Sequence, residues 1–380
     1  MSYQENNILV KLINCKFKYF LLLCSILLIG FSSCKTTKHI PEDEYLLKRY
    51  EVEIKTDDSG INKKELKSYI KQKPNRKILG LKFPLFIYSL SGKDNDKGLS
   101  RMFAKMGEEP VVWNEYMTEE AKKQIQYYLE NKGYYNSVVE DTVLLSNQKA
   151  TVKYLIRLNK PYTVNDFSYD IRDTSLQSYI YKDTADRLIQ KGDVFSVEKM
   201  ERERKRIENL LKNNGYYNFS KDFISYIADT TFQNNKVDLT LRVGKYTEKG
   251  KDGGIREVPH KRYKINNIYM FPDYDPKQAI ASRQAYMGDL DTTEFQGLHF
   301  IYKGKPGVDL KTLVQSNYIL SGEWYMQEDV NRTYEHLNSL RIFKLINIKF
   351  EELEDSSITD YSKLNCYVYL KKFKMQSYTV

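Results

Sequence analysis

Four histidines are the residues in this 380-residue chain best suited to acid–base or metal chemistry, and their placement excludes most of it. His39, His260, His299 and His336 fall in four separate stretches. None belongs to a pattern such as His-Glu-x-x-His, which sets two imidazoles on one helical face. No Gly-x-Ser-x-Gly turn presents a nucleophile, and no Gly-rich loop closing on Lys-Ser/Thr cradles a phosphate. Gly250, Gly253 and Gly254 sit in a charged stretch with no strand pattern before them. The acidic pairs Asp170/Asp173 and Glu351/Glu352 fall at strand ends, where solvated turns hold them. A glycosidase needs two carboxylates across a cleft, and the chain offers no obvious cleft. It therefore reads as a non-enzyme with no implied cofactor or metal.

The cysteine with a chemical role is Cys34. Lys11, Lys16 and Lys18 precede an apolar run, Tyr19 to Phe31, which ends in Ser32-Ser33-Cys34. A basic flank, a short apolar core and small residues before a cut make a secretory signal peptide. The run is short for a spanning helix, which needs roughly 20 apolar residues. Ser32-Ser33-Cys34 resembles a bacterial lipobox, which implies cleavage before Cys34 and a lipid on its thiol. Phe31 stands where that pattern usually has Leu, Val or Ile, and an uncleaved helical anchor is the alternative. Residues 1–33 are thus expected as signal peptide and 34–44 as a lipidated tether facing an extracytoplasmic space.

Cys15 and Cys24 would leave with the signal, so Cys366 alone remains and no intrachain disulfide can form. Leu364, Val368 and Leu370 alternate with it, which predicts a buried strand position. The net charge is +10; residues 1–33 carry three lysines and one glutamate, and their loss leaves +8. The cations are dispersed, an ordinary solvated surface that could also favour anionic headgroups. Nucleic acid does not suit an exported chain.

The elements repeat three times. Tyr45, Leu47, Tyr50 and Val52 open the first copy; Tyr162, Val164, Phe167 and Tyr169 the second; Tyr263, Ile265, Ile268 and Met270 the third. The double spacer in each would invert the alternation once, as a small bulge or a strand break does. Two amphipathic helices follow in each copy. In the first, Asn62 with Glu65 starts a helix that Lys73-Pro74 would stop, and another begins near Thr118. The second copy offers helices at 176–190 and 196–214, the third at 309–317 and from Met326. Helix ends match: Leu129-x-x-x-Gly133-Tyr134-Tyr135-Asn136 recurs as Leu211-x-x-x-Gly215-Tyr216-Tyr217-Asn218. Glycine there suits a left-handed closing residue, and the paired tyrosines would enter the next strand. In the third copy Arg341 replaces the glycine.

Each copy closes on an alternating strand (Val152 to Leu158, Val237 to Val243, Leu364 to Leu370) after a polar turn. The unit is β-α-α-β-β, an α+β module with two helices on one face of a small sheet. Units are expected at 45–161, 162–244 and 262–374. An insertion at 75–112 carries an apolar stretch, Ile78 to Leu90, readable as a packed subdomain or as a membrane-proximal or partner-binding segment. A polar insertion is expected at 272–300 and a flexible Gly- and charge-rich linker at 245–261.

This order, with the Gly-Tyr-Tyr helix ends and the lipobox, resembles the POTRA region of the BamA/TamA outer-membrane assembly superfamily, and most of all its lipid-anchored TamA-like (TamL) members. Gly107-Glu108-Glu109-Pro110-Val111 is similar to a segment those proteins carry before the second helix of their first unit. The resemblance implies a membrane β-barrel after the last strand, whose first step residues 375–380 would be. It implies an outer-membrane location with the POTRA string in the periplasm. The partners it implies are unfolded outer-membrane clients or a TamB-like bridging protein. Such segments would add as strands at sheet edges, here within 134–143, 216–227 or 342–350. A barrel-less periplasmic lipoprotein scaffold is the alternative.

Overall fold

The computed structural model describes residues 37–55, 60–92, 97–231, 234–249, 253–281, 288, 290–353 and 361–373. Cys34, the apolar run before it and residues 375–380 lie outside the described residues. The chain divides into two compact units, Met1–Pro161 and Tyr162–Val380.

The first unit holds β1 (Leu46–Ile54), α1 (Lys63–Ser68), α2 (Phe83–Ser89), α3 (Gly98–Met106), α4 (Glu115–Asn131), β2 (Val138–Ser146) and β3 (Lys149–Arg157). Its sheet runs β1-β3-β2, with β1 parallel to β3 and β2–β3 an antiparallel hairpin. Leu47, Val152, Tyr154 and Ile156 pack with Leu66 and the α4 stripe of Ala121, Ile125, Tyr128 and Leu129.

 Burying each of those apolar side chains contributes about 1.5–3 kcal/mol, which fixes the helices on one face. Helix α1 starts on Asn62, whose side chain accepts from the Lys64 N–H (2.9 Å), but it ends at Ser68, short of the expected stop at Lys73-Pro74. The 75–112 insertion contains α2 and α3. Asn75 ties its two ends together, donating to Glu109 O (2.7 Å) and accepting from the Val111 N–H (3.1 Å).

The second unit begins with β4 (Thr163–Ile171), α5 (Thr174–Lys182), α6 (Val197–Lys212), β5 (Ile224–Asp229) and β6 (Lys236–Val243), in sheet order β4-β6-β5. Helix α5 stops at Lys182, well before the expected Gln190, and a single 3₁₀ turn at Thr184–Asp186 follows. Residues 245–261, expected as a flexible linker, instead carry an antiparallel hairpin, β7 (Tyr246–Lys249) with β8 (Ile255–Val258). Gly253 and Gly254 lead into β8, and Arg256 and Glu257 are exposed, a pattern that flexible linkers share.

The last part holds β9 (Tyr263–Phe271), α7 (Pro276–Ala281), β10 (Asp291–Phe295), β11 (Leu298–Tyr302), α8 (Leu310–Gln315), α9 (Gln327–Ser339), β12 (Phe343–Leu353) and β13 (Ser362–Lys372). Here the sheet has five strands, β10-β11-β9-β13-β12. The insertion read as merely polar thus widens the sheet, and Leu298 and Phe300 enter the core while Asp291 to Glu294 stay exposed. Cys366 is fully buried among Leu364, Val368 and Leu370, and burial pushes its thiol well above the ordinary range.

All three first strands carry a bulge at the double spacer. Partners shift between Leu47 and Arg49, between Val164 and Asp166, and opposite the Leu364–Cys366 step, where β9 has the extra residue. The fold is mixed α+β. Among the described residues no helix is long and apolar enough to cross a membrane.

Candidate functional site

The rims of the sheets differ in how they are guarded. Residues 111–113 run beside β1: the Leu47 N–H donates to Val111 O (2.8 Å) and the Trp113 N–H to Tyr45 O (2.7 Å). Beside β4, the Val164 N–H donates to Asp193 O (2.8 Å) and the Phe195 N–H to Tyr162 O (2.8 Å). Beside β9, the Ile265 N–H donates to Glu323 O (2.8 Å) and the Tyr325 N–H to Tyr263 O (2.9 Å). Each guarding segment ends in an aromatic residue, Trp113, Phe195 or Tyr325, directly before the helix N-cap at Asn114, Ser196 or Met326. This threefold signal is present in the sequence and was missed there, because a three-residue strand has no periodicity to detect.

The strand that follows the second helix of each module is bare by contrast. Among the described residues β2, β5 and β12 each pair on one side only, with β3, β6 and β13, as does β10 with β11 at the other rim of the five-stranded sheet. Strands β2, β5 and β12 are the ones that the edge segments 134–143, 216–227 and 342–350 lead into. At 11 residues β12 is the longest of the three, β5 the shortest at six. Their side chains differ. Strand β2 exposes Val138, Leu144 and Leu145, whereas β12 exposes Lys344, Lys349, Glu351 and Glu352. A bare rim presents unpaired backbone N–H and C=O groups at ladder spacing. Its chemistry is backbone pairing with an extended chain.

The Gly-Tyr-Tyr motifs close helices, as the sequence implies. Gly133 and Gly215 adopt φ of +91° and +97°. The Tyr134 N–H reaches Leu129 O (2.9 Å) and the Tyr216 N–H reaches Leu211 O (3.1 Å), the 6→1 bond of a Schellman cap. Arg341 takes the same left-handed conformation, φ +55°, in the third copy. The tyrosines do not enter strands, however; β2 begins only at Val138 and β5 at Ile224. Tyr134 packs against the first core, and burial raises the Tyr135 phenol. Tyr216 is buried and donates to Ser175 O (2.9 Å). Tyr217 instead meets Tyr263, Tyr325 and Phe350 at ring-centroid distances of 5.7, 5.0 and 5.4 Å. It thereby joins the β4–β6 module to the five-stranded one.

The same junction is closed by main-chain bonds. The Tyr263 N–H donates to Gly215 O (2.8 Å), and Arg262 Nε donates to Asn214 O (2.9 Å) while its guanidinium lies 3.6 Å over the Trp324 ring. A Cβ at Gly215 would sit 3.2 Å from Arg262 Nε, so glycine serves both the turn and the close approach.

A second lock holds the hairpin. Asp173 is buried at the N-cap of α5, accepting from the Ser175 N–H (2.9 Å), the His260 N–H (2.6 Å) and His260 Nδ1 (2.8 Å). Burial alone would raise its carboxyl; the hydrogen bonds from His260 and Ser175 outweigh that and bring it down to about 2. The His260 ring lies among Phe219, Phe223 and Tyr246, a structural setting rather than a catalytic one. The other histidines are likewise in ring contacts: His39 with Tyr88, His299 with Tyr269, His336 with Tyr318. Among the described residues no three His, Cys, Asp or Glu side chains are grouped to hold a metal ion.

Residues 168–245 match the family model described as POTRA, surface antigen variable number repeat. No curated protein matches the chain. Among solved structures, the POTRA3-5 segment of Haemophilus influenzae BamA is 14% identical, covering 88% of this chain and 100% of that one, with a TM-score of 0.41. POTRA1-3 of Omp85 from Anabaena is 11% identical over 88% of this chain and 98% of that one, at a TM-score of 0.28. BamA from Haemophilus ducreyi lacking POTRA domains 1-3 is 9% identical over 56% and 30%, at 0.36. The matched stretch runs from within β4 to just past the end of β6.

Proposed function

We propose that this chain is the periplasmic POTRA portion of a lipid-anchored outer-membrane protein assembly factor of the BamA/TamA kind, with POTRA-like units at 45–161, 162–244 and 262–374. It takes up extended segments of client or bridging proteins by strand addition, and it performs no chemistry on them. The observation that carries the reading lies in the sheets: a short segment guards each of β1, β4 and β9, while the rim strands β2, β5 and β12 are bare. Backbone pairing tolerates many sequences, which suits a factor that handles many clients. Lipid on Cys34 supplies the anchor, and a barrel following residue 380 supplies the second attachment.

A proline scan along β12 tests strand addition. An extended peptide from an outer-membrane strand, fluorescently labelled, is titrated against full-length variants carrying proline at Asn347, Ile348 or Lys349. Outward N–H groups alternate along an edge strand, so binding should be lost at alternate positions while the fold survives there. Equal binding by every folded variant would sink the proposal for β12. Cys34→Ala tests the anchor separately: the chain should leave the membrane fraction unless a second attachment holds it.

A further inference from the structure

The insertion of the first unit carries a feature that strand addition does not use. Residues 78–81, Ile-Leu-Gly-Leu, form a two-residue hairpin: the Ile78 N–H donates to Leu81 O (2.8 Å) and the Leu81 N–H to Ile78 O (3.0 Å). Both turn residues have positive φ, +50° at Leu79 and +83° at Gly80, as a type I′ turn requires. Asn or Asp is the usual residue before the glycine of such a turn; a leucine there is conformationally strained. It is also 98% exposed, with Ile78 and Leu81 more than half exposed on either side. Nothing in the unit's own packing calls for an apolar side chain at this tip.

The charges flanking it in sequence have one sign. From Lys71 to Gly92 the sequence contains Lys71, Lys73, Arg76, Lys77 and Lys82 and no Asp or Glu. Glu108 pairs with Arg76 (3.3 Å), and Lys82 turns inward, its Nζ donating to Leu47 O (3.3 Å). Lys71, Lys73 and Lys77 remain exposed, Lys77 directly before the hairpin. Helix α3 adds exposed Leu99, Met102 and Met106 with Arg101 and Lys105, has no acidic residue and buries none of its side chains.

What faces this tip follows from the chain that leads to it. Lys38 Nζ donates to Ser89 O and Ser91 O (both 3.4 Å), His39 packs edge-on against Tyr88 at 5.4 Å, and Ile40 shares a cluster with Leu85. The N-terminal segment is therefore docked on α2, the helix into which the tip runs. Thr37 lies three residues from Cys34, a reach of roughly 10 Å.

We propose that the 78–81 tip is a membrane-docking element that inserts Leu79 and its neighbours into a lipid surface bearing anionic headgroups, with Lys77 and the exposed lysines before it engaging those headgroups. An exposed apolar tip preceded by exposed lysines fits the interfacial layer, where acyl chains take the apolar side chains and phosphates take the ammonium groups. The choice of lipid as occupant rests on the proposed anchor at Cys34.

The test uses the full lipidated chain on vesicles, comparing phosphatidylglycerol-containing with pure phosphatidylcholine membranes. Flotation of the parent reads the anchor; the tip is read by Leu79→Trp, whose added fluorescence is quenched by bromine-labelled acyl chains. Because position 79 is exposed, the substitution leaves the core untouched. The expected result is strong bromolipid quenching on anionic vesicles, several-fold weaker on neutral ones, and weakened about fivefold in effective partitioning by Lys77→Gln. If the chain floats but the tryptophan stays open to acrylamide on both vesicle types, the tip serves a protein partner and the proposal is overturned while the anchor stands. A tryptophan shielded before vesicles are added overturns it as well. Failure of the parent to float removes the anchor and the lipid assignment together.

Discussion

Replacing Asp173 by Asn should loosen the second compact unit by about 2 kcal/mol at neutral pH, and the loss should fade in acid. The carboxyl sits at about 2 in the folded chain, against an ordinary value of 3.8. A difference of nearly two units corresponds to about 2 kcal/mol of stability once the group is ionised in both states. The folded value is the depressed one, so the contribution is complete above the unfolded value and is lost as pH falls through about 2. Near pH 3 roughly half should remain. Hydrogen-bond accounting gives the same size: Asn retains one acceptor oxygen, but its amide turns donors toward the buried His260 N–H and Nδ1, which donate at 2.6 and 2.8 Å. Leaving one such donor unmet costs about 1–3 kcal/mol. The unit contains more than one module, so a global midpoint is a poor readout. Amide hydrogen exchange at β7, β8 and the first turn of α5 is the better one. Exchange should accelerate about thirtyfold at pH 7. A variant whose deficit against the parent were as large in urea unfolding at pH 2.5 as at pH 7 would refute the reasoning, since a packing defect does not titrate.

Three further outcomes follow from backbone geometry and burial. Arg341→Gly should raise the melting temperature of the five-stranded module by relieving about 1 kcal/mol of left-handed strain, since the exposed arginine occupies a φ of +55° where the other copies have glycine; calorimetry reads it. Leu79→Asn should stabilise the first unit by a similar amount, about 1 kcal/mol, because Asn-Gly is the natural type I′ pair and the leucine buries nothing. Glu203→Ala should cost about 3–5 kcal/mol, measured by denaturant unfolding, because the buried carboxylate accepts from the Leu188 N–H (2.9 Å) and from Arg206 Nε (3.0 Å).

How far the sequence disclosed these features depends on the range of the interaction. The bulges were legible because an extra residue shifts the apolar phase within four positions, Leu47 to Tyr50 or Ile265 to Ile268. The helix caps were legible from Leu and Gly four apart. The hairpin at 246–258 was not, since its strands have four residues each with no continuous apolar face, and its anchor is Asp173, 87 positions from His260. The added strands β10 and β11 were hidden for a related reason: β10 is exposed nearly throughout, and β11 contributes only Leu298 and Phe300 to the core. Arg341 departs from the glycine pattern, yet the left-handed conformation is kept at a conformational cost.

The rims carry the functional argument because they are unequal. A chain selected only against aggregation would guard both edges of each sheet or load both with charge. Here the first strand is guarded three times by the same device, a short strand ending in an aromatic residue before a helix cap. The bare strands β12 and β2 then divide by chemistry. Strand β12 has Lys344, Lys349, Glu351 and Glu352 exposed along its 11 residues, which keep its rim solvated and still leave its backbone open. Strand β2 exposes Val138, Leu144 and Leu145 instead, so an added strand there gains side-chain burial as well as ladder bonds. Alternating apolar segments, such as those of membrane barrels, should therefore compete for β2 more strongly than polar ones, while β12 should discriminate less. A peptide pair of equal length and opposite hydropathy, titrated against variants with proline in β2 or in β12, separates the two rims; identical preference at both would remove the division.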